Sequence, residues 1–167
     1  MPAVSQHPNA QLIDRFYEAF AAHDGAAMAA CYADDARFSD PVFTELDADG
    51  VRAMWQMLTS RATDLRVEHS AVRADDSTGS AHWEAWYTFA TGRKVHNVID
   101  AKFEFRDGEI THHTDTFDLY RWSRMALGPT GVLLGWTPII RNTVRQKAAR
   151  QLANYRAALR PPVPQRQ

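Results

Sequence analysis

Apolar residues recur at every third or fourth position near the start of the chain, which is the spacing of one face of an α-helix. This pattern predicts a helix over Asn9–Phe20, with Asn9 able to cap it. Asp24 can cap a short second helix through Ala26–Tyr32, and a third helix follows Asp49-Gly50. The predicted buried positions of the first and third helices are Leu12, Ile13, Phe16, Tyr17 and Phe20, and Val51, Met54, Trp55 and Leu58.

The period of the pattern changes to two after Ala62, which is the alternation of a half-buried β-strand. Thr91-Gly92 and Asp107-Gly108 have the composition of tight hairpin turns. A short extended segment, Ala36–Asp40, ends at Pro41 because proline cannot donate a ladder hydrogen bond. The predicted strands of the meander are Leu65–Arg73, Ser80–Ala90, Lys94–Arg106 and Glu109–Tyr120. The pattern predicts an α+β domain, in which three N-terminal helices pack in a curved antiparallel sheet.

Glycines and prolines between positions 128 and 138 interrupt the pattern before a final helix near Ile139–Leu159. The apolar stripe of that helix is predicted to be Ile140, Val144, Ala148, Leu152, Tyr155 and Leu159. Three prolines then predict a disordered tail. The expected organisation is one domain over residues 9–120, a C-terminal helical extension over 121–160 and a tail over 161–167.

Composition narrows the class of protein. The chain has 167 residues, of which 45% are hydrophobic, and this suits one globular domain. Cys31 is the only cysteine, so no internal disulfide can form and a reducing compartment is expected. The start lacks the basic and apolar regions of a signal peptide, and no apolar stretch reaches the roughly 20 residues of a membrane span. A cytoplasmic location is the resulting expectation.

The formal net charge of −1 hides an uneven distribution. The first 118 residues carry ten basic and all 20 acidic groups, whereas the residues from Leu119 onward carry nine basic groups and no Asp or Glu. A basic, partly apolar extension is compatible with an interfacial membrane helix. The simpler interpretation is a helix that packs on the domain or on a second copy, with its arginines facing the acidic part. We therefore expect neither nucleic-acid binding nor membrane association.

Two segments resemble known families. Tyr32–Val42 resembles the helix-to-strand connection of ketosteroid isomerases, and Phe103–Asp118 resembles the last hairpin of limonene epoxide hydrolases and SnoaL-like polyketide cyclases. These families belong to the nuclear transport factor 2-like superfamily, a cone of three helices inside a curved sheet, and the resemblance covers residues 9–120. It implies a homodimer and a small-molecule pocket. It does not imply one reaction, because the fold hosts isomerases, hydrolases, cyclases and binding proteins.

The resemblance and strand alternation together nominate catalytic residues. The resemblance matches the catalytic Asp of the isomerases to Asp40, the Arg-x-Asp pair of the hydrolases to His82 and Glu84, and their second Asp to Asp115. Alternation puts His113 on the same face as Asp115. Burial raises the pKa of a carboxyl group, and a second carboxylate separates the two titrations, so such groups can act as acid and base near neutral pH. The candidate catalytic residues are Asp40, His82, Glu84, His113 and Asp115, with Asp40 or Asp115 as the base.

Structural roles can explain the same residues. Asp40 precedes a proline and can be a turn residue. His82 and Glu84 can form a solvated strand face, and Asp115 can be an internal ion-pair partner.

The predicted pocket is lined mostly by aromatic residues. The oxyanion-hole tyrosine of the isomerases is matched by Phe16, and the nearest phenol is Tyr17. Asp100 resembles their protonated Asp but lies three residues before Phe103 rather than two, and one residue of register turns a strand side chain to the opposite face. The predicted pocket residues are Phe16, Tyr17, Phe38, Trp55, Trp86, Asp100 and Phe117.

No metal or cofactor is expected. His112 and His113 are neighbours on a strand and point to opposite faces, so they cannot chelate one ion. The predicted function is acid–base chemistry on a small hydrophobic organic molecule: isomerisation, cyclisation or epoxide hydration. The alternative is a non-catalytic ligand-binding or dimerisation module of the same fold.

Overall fold

The computed structural model describes residues 6–160, and the predicted tail over 161–167 lies outside them. The elements in chain order are α1 (Pro8–Ala21), α2 (Gly25–Ala29), β1 (Tyr32–Ser39), α3 (Ala48–Arg61), β2 (Arg66–Ala74), β3 (Thr78–Thr88), β4 (Lys94–Arg106), β5 (Glu109–Thr116), α4 (Leu119–Leu127), α5 (Pro129–Leu134) and α6 (Pro138–Ala158). This is the predicted α+β class with a C-terminal helical extension.

The first helix is confirmed, but its cap is not Asn9. The cap is His7, whose Nδ1 accepts a hydrogen bond from the Asn9 backbone N–H. The Asn9 side chain instead donates to the backbone carbonyls of Asp75 and Asp76, which ties α1 to the β2–β3 hairpin. The predicted buried positions of α1 are all buried. In α3 the stripe is confirmed except for Leu58, whose exposed fraction is 38% because it lies at the edge of the buried face.

The five strands form a curved, unclosed sheet in the order β1-β5-β4-β3-β2. Strands β2 to β5 pair as the predicted antiparallel meander, whereas β1 pairs with β5 in parallel. The prediction ended the second helix at Tyr32, but α2 ends at Ala29 and Tyr32 begins β1. This early start, followed by a register shift between Tyr32 and Arg37, turns the Tyr32 side chain into the interior.

The core lies between the helices and the concave face of the sheet, and it is largely aromatic. The ring of Phe16 lies 5.8 Å from Tyr32, 5.6 Å from Trp55 and 5.6 Å from His113, all in edge-to-face geometry. Such pairs stabilise a core by about 1 kcal/mol each beyond their buried area. One histidine therefore lies among the rings that hold the fold together.

The chain leaves the sheet earlier than predicted. Strand β5 ends at Thr116, and Asp118 caps α4 by accepting a hydrogen bond from the Arg121 backbone N–H. The glycine-rich segment that follows forms helix α5 rather than an irregular loop. Gly131 makes this possible, since a Cβ there would lie 1.9 Å from the backbone oxygen of Ser123. Glycine lets α5 lie directly against α4.

Helix α6 crosses from the α4 side of the cone to α3. Val144 packs near Trp122, and Leu152 and Tyr155 join the main core. The predicted stripe faces the protein except for Leu159, which is 59% exposed at the end of the helix. No helix within residues 6–160 combines the length and apolar composition needed to cross a membrane.

The extension does not meet the acidic domain through ion pairs. Across residues 6–160, no carboxylate lies within salt-bridge distance of a cation from residue 119 onward. Arg121 donates to the backbone carbonyl of His96, Arg145 donates to that of Pro41, and the Arg124 guanidinium lies over the ring of Tyr120. The predicted pairing of these arginines with carboxylates of the same chain is therefore not observed, and pairing with a second copy stays a prediction. Charge acts on the domain only at longer range.

Candidate active site

A chain of hydrogen bonds runs through the buried interior of the cone. The hydroxyl of Tyr32 lies 2.7 Å from His113 Nδ1, and His113 Nε2 lies 2.9 Å from Asp115 Oδ1. The indoles of Trp55 and Trp83 close the two ends, because they donate to the Tyr32 hydroxyl at 2.8 Å and to Asp115 Oδ1 at 3.4 Å. His113 and Asp115 are 1% and 4% exposed, so water does not complete this chain.

The donors and acceptors along this chain balance in one arrangement. Asp115 accepts from His113 Nε2–H, which leaves Nδ1 as an acceptor for the Tyr32 hydroxyl. Tyr32 in turn accepts from Trp55. Burial raises the pKa of Tyr32 well above its ordinary value, against the lowering effect of the Trp55 hydrogen bond, so the phenol keeps its proton. A buried chain of hydrogen bonds of this kind holds its members in one orientation.

Asp40 lies at the end of β1, where the prediction offered a turn role and a catalytic role. The turn role is real, because Asp40 Oδ1 accepts from the backbone N–H groups of Val42 and Phe43. The same carboxyl has an unusual titration: burial raises its pKa to about 7, helped by the negative charge of Asp115. The two backbone donors and the charge of Arg145 oppose this rise. Asp40 is thus half protonated near neutral pH.

Tyr17 has a buried hydroxyl with no hydrogen-bond partner, a situation that is singular among the buried side chains of residues 6–160. Its ring stacks on His69 with centroids 5.2 Å apart and meets Phe16 edge-on at 5.1 Å. Burial, and next the negative charge of Asp115, raise its pKa well above the ordinary value. An unmet buried hydroxyl costs about 1–3 kcal/mol. A ligand oxygen that accepted this hydrogen bond would recover that free energy.

His82 and Glu84 were predicted to join this cluster, and the structure puts them on the opposite face of the sheet. In β3 the inward positions are Ala81, Trp83 and Ala85, so alternation turns His82 and Glu84 outward. The prediction grouped the residues of this strand correctly but chose the wrong side as the interior. Trp86 and Asp100, predicted as pocket residues, also face outward.

The outward side chains form a second polar cluster. His82 lies 2.9 Å from Asp100 and 3.3 Å from Glu84, and Glu84 lies 2.6 Å from His96. The ring of Trp86 stacks on His96 at 4.6 Å. The hydrogen bond to Asp100, and next that to Glu84, raises the pKa of His82, while His96 and then His82 lower the pKa of Glu84. Solvent reaches the side chains of His82, Glu84, His96 and Asp100.

The aromatic residues predicted to line the pocket also divide between the interior and the outer face of the sheet. Phe16, Tyr17, Phe38 and Trp55 are buried in the interior, and Phe117 is partly buried against the same core. Tyr32, Trp83 and Tyr87 were missed. Tyr87 accepts from the Trp122 indole and is near enough to Asp40 for the carboxylate to raise its pKa, after the larger effect of burial.

Two open clefts, of about 600 and about 620 Å³, lie elsewhere on the surface. Neither is lined by Asp40, His113 or Asp115. The interior is the candidate site, because acid–base chemistry depends on the environment of the titrating groups rather than on the size of an opening. Of Asp40, His113 and Asp115, Asp40 is the side chain that is only partly buried and that solvent can reach. In residues 6–160 no group of three or more His, Cys, Asp or Glu side chains has the arrangement of a metal site.

The helices and the curved, unclosed five-stranded sheet together define the nuclear transport factor 2-like fold class. Within it the chain belongs to the SnoaL-like domain family, whose model matches residues 13–113. Comparison with curated protein sequences found no match.

Solved structures agree on the fold at low sequence identity. A nuclear transport factor 2-like protein of unknown function from Burkholderia pseudomallei has a TM-score of 0.64 and 19% identity, covering 72% of this chain and 98% of that one. An LEH-like epoxide hydrolase from M. tuberculosis has a TM-score of 0.61 and 19% identity, covering 75% and 92%. A protein with a ketosteroid isomerase-like fold from Catenulispora acidiphila, in complex with trimethylamine, has a TM-score of 0.62 and 13% identity, covering 77% and 98%.

Proposed function

We propose that the interior of the cone catalyses proton transfer on a small hydrophobic organic molecule, with Asp40 as the general base. The observation that carries the proposal is the common neighbourhood of Asp40, Tyr17 and Asp115, in which the charge of Asp115 raises the pKa of both other groups. A base is most effective when its pKa lies near the working pH, and that of Asp40 is about 7.

Asp40 and Tyr17 have complementary roles in this proposal. Asp40 Oδ1 is occupied by two backbone donors, so Oδ2 is the oxygen that takes up a proton. The raised pKa of Tyr17 keeps its hydroxyl protonated, which makes it a hydrogen-bond donor for an oxygen that gains negative charge. The chain of Tyr32, His113 and Asp115 acts as a positioning group, because it fixes the negative charge that tunes both residues.

The chemistry then follows for a substrate with a carbonyl group. Asp40 removes a proton from the neighbouring carbon, and the bonding electrons move to the carbonyl oxygen, which accepts the hydrogen bond of Tyr17. Return of the proton from Asp40 to a different carbon completes an isomerisation. With an epoxide, Asp40 would take the proton of an attacking water and afterwards return it to the opened oxygen. The structures of similar fold include an LEH-like epoxide hydrolase, which supports testing both substrate classes.

Non-catalytic binding is the second candidate, and one observation favours it. His113 and Asp115 already satisfy each other inside the protein, so their chain can serve the fold alone, while Tyr17 still offers its hydroxyl to a ligand. In that case the cone would hold a small hydrophobic molecule with an acceptor oxygen, and Asp40 would only shape the turn.

Turnover on a substrate panel separates the two candidates. Cyclic ketones, enones and epoxides would be incubated with the protein in heavy water, and deuterium incorporation, isomer or diol would be measured by mass spectrometry. We expect one class of substrate to react. Asp40→Asn should lose this reaction, whereas Glu45→Gln should keep it, because Glu45 is an exposed carboxylate on the loop after β1 and serves as the matched control. Binding without reaction across the panel, with affinity equal in Asp40→Asn and wild type, would establish the binding module instead.

A further inference from the structure

The extension carries an exposed apolar surface on helix α5 and the start of α6, which we call the apolar tip. Three of its large apolar side chains are mostly exposed: Leu133 is 69% exposed, Trp136 is 69% and Ile139 is 76%. Val132 and Leu134 are also about half exposed. Soluble monomers rarely keep large apolar side chains together in water, and such groups mark a surface that binds something.

The tip is held rigidly rather than left loose. Gly131 and Gly135 pack against Ser123 so closely that a Cβ would lie 1.9 Å from its backbone oxygen and 2.8 Å from its Cβ, respectively. The hydroxyl of Tyr120 donates to the Val132 carbonyl, which also ties α4 to α5. The indole N–H of Trp136 donates to the Leu133 carbonyl, so this ring can leave water without an unmet donor.

A cleft of about 620 Å³ beside the tip has a strongly positive lining, which we call the cationic cleft. Its lining residues are Gly92, Arg93, Lys94, Arg121, Arg124 and Met125. Asp64 pairs with Lys94, which leaves three arginines as the charge of the cleft. The guanidinium of Arg93 lies against Gly128, the cap of α5, so the cleft adjoins the base of the tip.

We propose that the apolar tip and the cationic cleft together bind the surface of an anionic phospholipid bilayer. Aromatic and aliphatic side chains enter the headgroup boundary, and arginines beside them attract the phosphates. From Leu119 to the end of the chain no Asp or Glu opposes this attraction. A bilayer fits better than a protein partner, because a protein would gain from a mixture of charges, whereas here every charge on the extension has one sign.

This inference is independent of the proposed catalysis, which uses the interior of the cone. It also changes the expectation drawn from the sequence. That expectation had the arginines of the extension facing acidic residues, and across residues 6–160 they make no such pairs. Their charge therefore remains available to an external anionic surface.

The test is co-sedimentation of the full-length protein with vesicles of phosphatidylcholine alone or with about a third phosphatidylglycerol. We expect binding to the anionic vesicles and weak binding to the neutral ones, with a loss when salt is raised to about 1 M. The variant Leu133→Ser/Trp136→Ser/Ile139→Ser should lower binding at least about tenfold. Leu159→Ser is the matched apolar control, since it is exposed at the other end of α6, about 30 Å away.

A charge variant tests the cationic cleft separately from the apolar tip. Arg121→Gln/Arg124→Gln should lower binding about thirtyfold, since each of the two cations near an anionic membrane contributes about 1 kcal/mol. Arg37→Gln/Arg73→Gln, two exposed cations of the cone, should leave it unchanged. The proposal is overturned if the wild type binds neither vesicle, or if the tip variant binds as well as Leu159→Ser. It is also overturned if the tip variant dissociates a dimer in sedimentation velocity while vesicles have no effect, because the tip is then an interface between copies.

Discussion

The two faces of the same sheet carry histidine–carboxylate clusters of similar composition and opposite character. On the inner face, His113 and Asp115 are almost fully buried, and the neighbouring Asp40 titrates near pH 7. On the outer face, His82 and Glu84 are partly exposed to solvent. Their hydrogen bonds stabilise the charged forms, so the pKa of His82 is raised and that of Glu84 is lowered. The difference teaches that burial, not residue type, decides which carboxyl group has its pKa brought near neutral pH.

The largest effect on stability is expected from the inner cluster. Asp115→Ala removes the acceptor of His113 Nε2–H and of the Trp83 indole and leaves both buried donors without a partner, which should lower the free energy of unfolding by about 1–3 kcal/mol for each. Denaturant unfolding monitored by tryptophan fluorescence measures this loss. The matched outer variant is Glu84→Ala, which removes the partner of two solvent-accessible histidines and should cost much less. Equal losses in the two variants would erase the distinction between the faces.

The next largest effect is expected on the rate of turnover, in a variant of Asp40. Asp40→Asn keeps the size of the side chain and its bonds to the backbone of Val42 and Phe43, but it cannot accept a proton. We expect kcat on a reactive panel substrate to fall about a hundredfold or more. In the wild type, kcat/KM should rise with pH and level off above about 7, because only the ionised carboxylate is a base. An unchanged rate in the variant would remove Asp40 from the mechanism.

The raised pKa of Asp40 also predicts that the stability of the fold depends on pH. Its pKa is about 7 in the folded protein and about 3.9 when unfolded, so between these values the folded state binds more protons. The stabilising contribution of the protonated carboxyl is complete below about pH 4 and is lost as pH rises through about 7. Asp40→Asn should therefore be more stable than the wild type at pH 8, by about 2 kcal/mol after allowance for partial exposure, and nearly equal at pH 4. Thermal and denaturant unfolding at the two pH values test the sign.

The smallest effect on stability is expected from changes in the outer cluster. His82 has a raised pKa, chiefly through its hydrogen bond to Asp100, so its contribution to stability is complete below about pH 6.5 and is lost as pH rises through the folded pKa. We expect Asp100→Asn to lower the pKa of His82, followed by NMR of the imidazole, and to change stability by less than about 1 kcal/mol. Turnover should not change. If it did, the outer face would share in the chemistry.

The comparison also explains how far the sequence could lead. Alternation correctly grouped His113 with Asp115 and His82 with Glu84, because side chains two positions apart on a strand share a face. It could not say which side of β3 is buried, since aromatic residues occur on both: Trp83 packs in the core, whereas Trp86 stacks on His96 outside.

Tyr32 could not be identified from local pattern at all. It follows a short helix without a clear end signal, and the register shift after it breaks the alternation that links it to Phe38. Its role depends on contacts with His113 and Trp55, which lie 81 and 23 positions away in the chain. Helix α6 of the extension was predicted, but α5 was missed, since Gly131 is a helix-breaking signal in the sequence and in the fold is a point of close helix contact.

The most direct test of the central claim is the pKa of Asp40 in the folded protein. Carbon-13 NMR of the aspartate carboxyl groups between pH 3 and 9 would follow it, with Asp40→Asn to assign the resonance. A midpoint of about 7 is expected, and it should fall when Asp115→Asn removes the neighbouring charge. A midpoint near 4, the ordinary value of an exposed aspartate, would contradict the claim that burial makes this carboxyl a base for neutral pH.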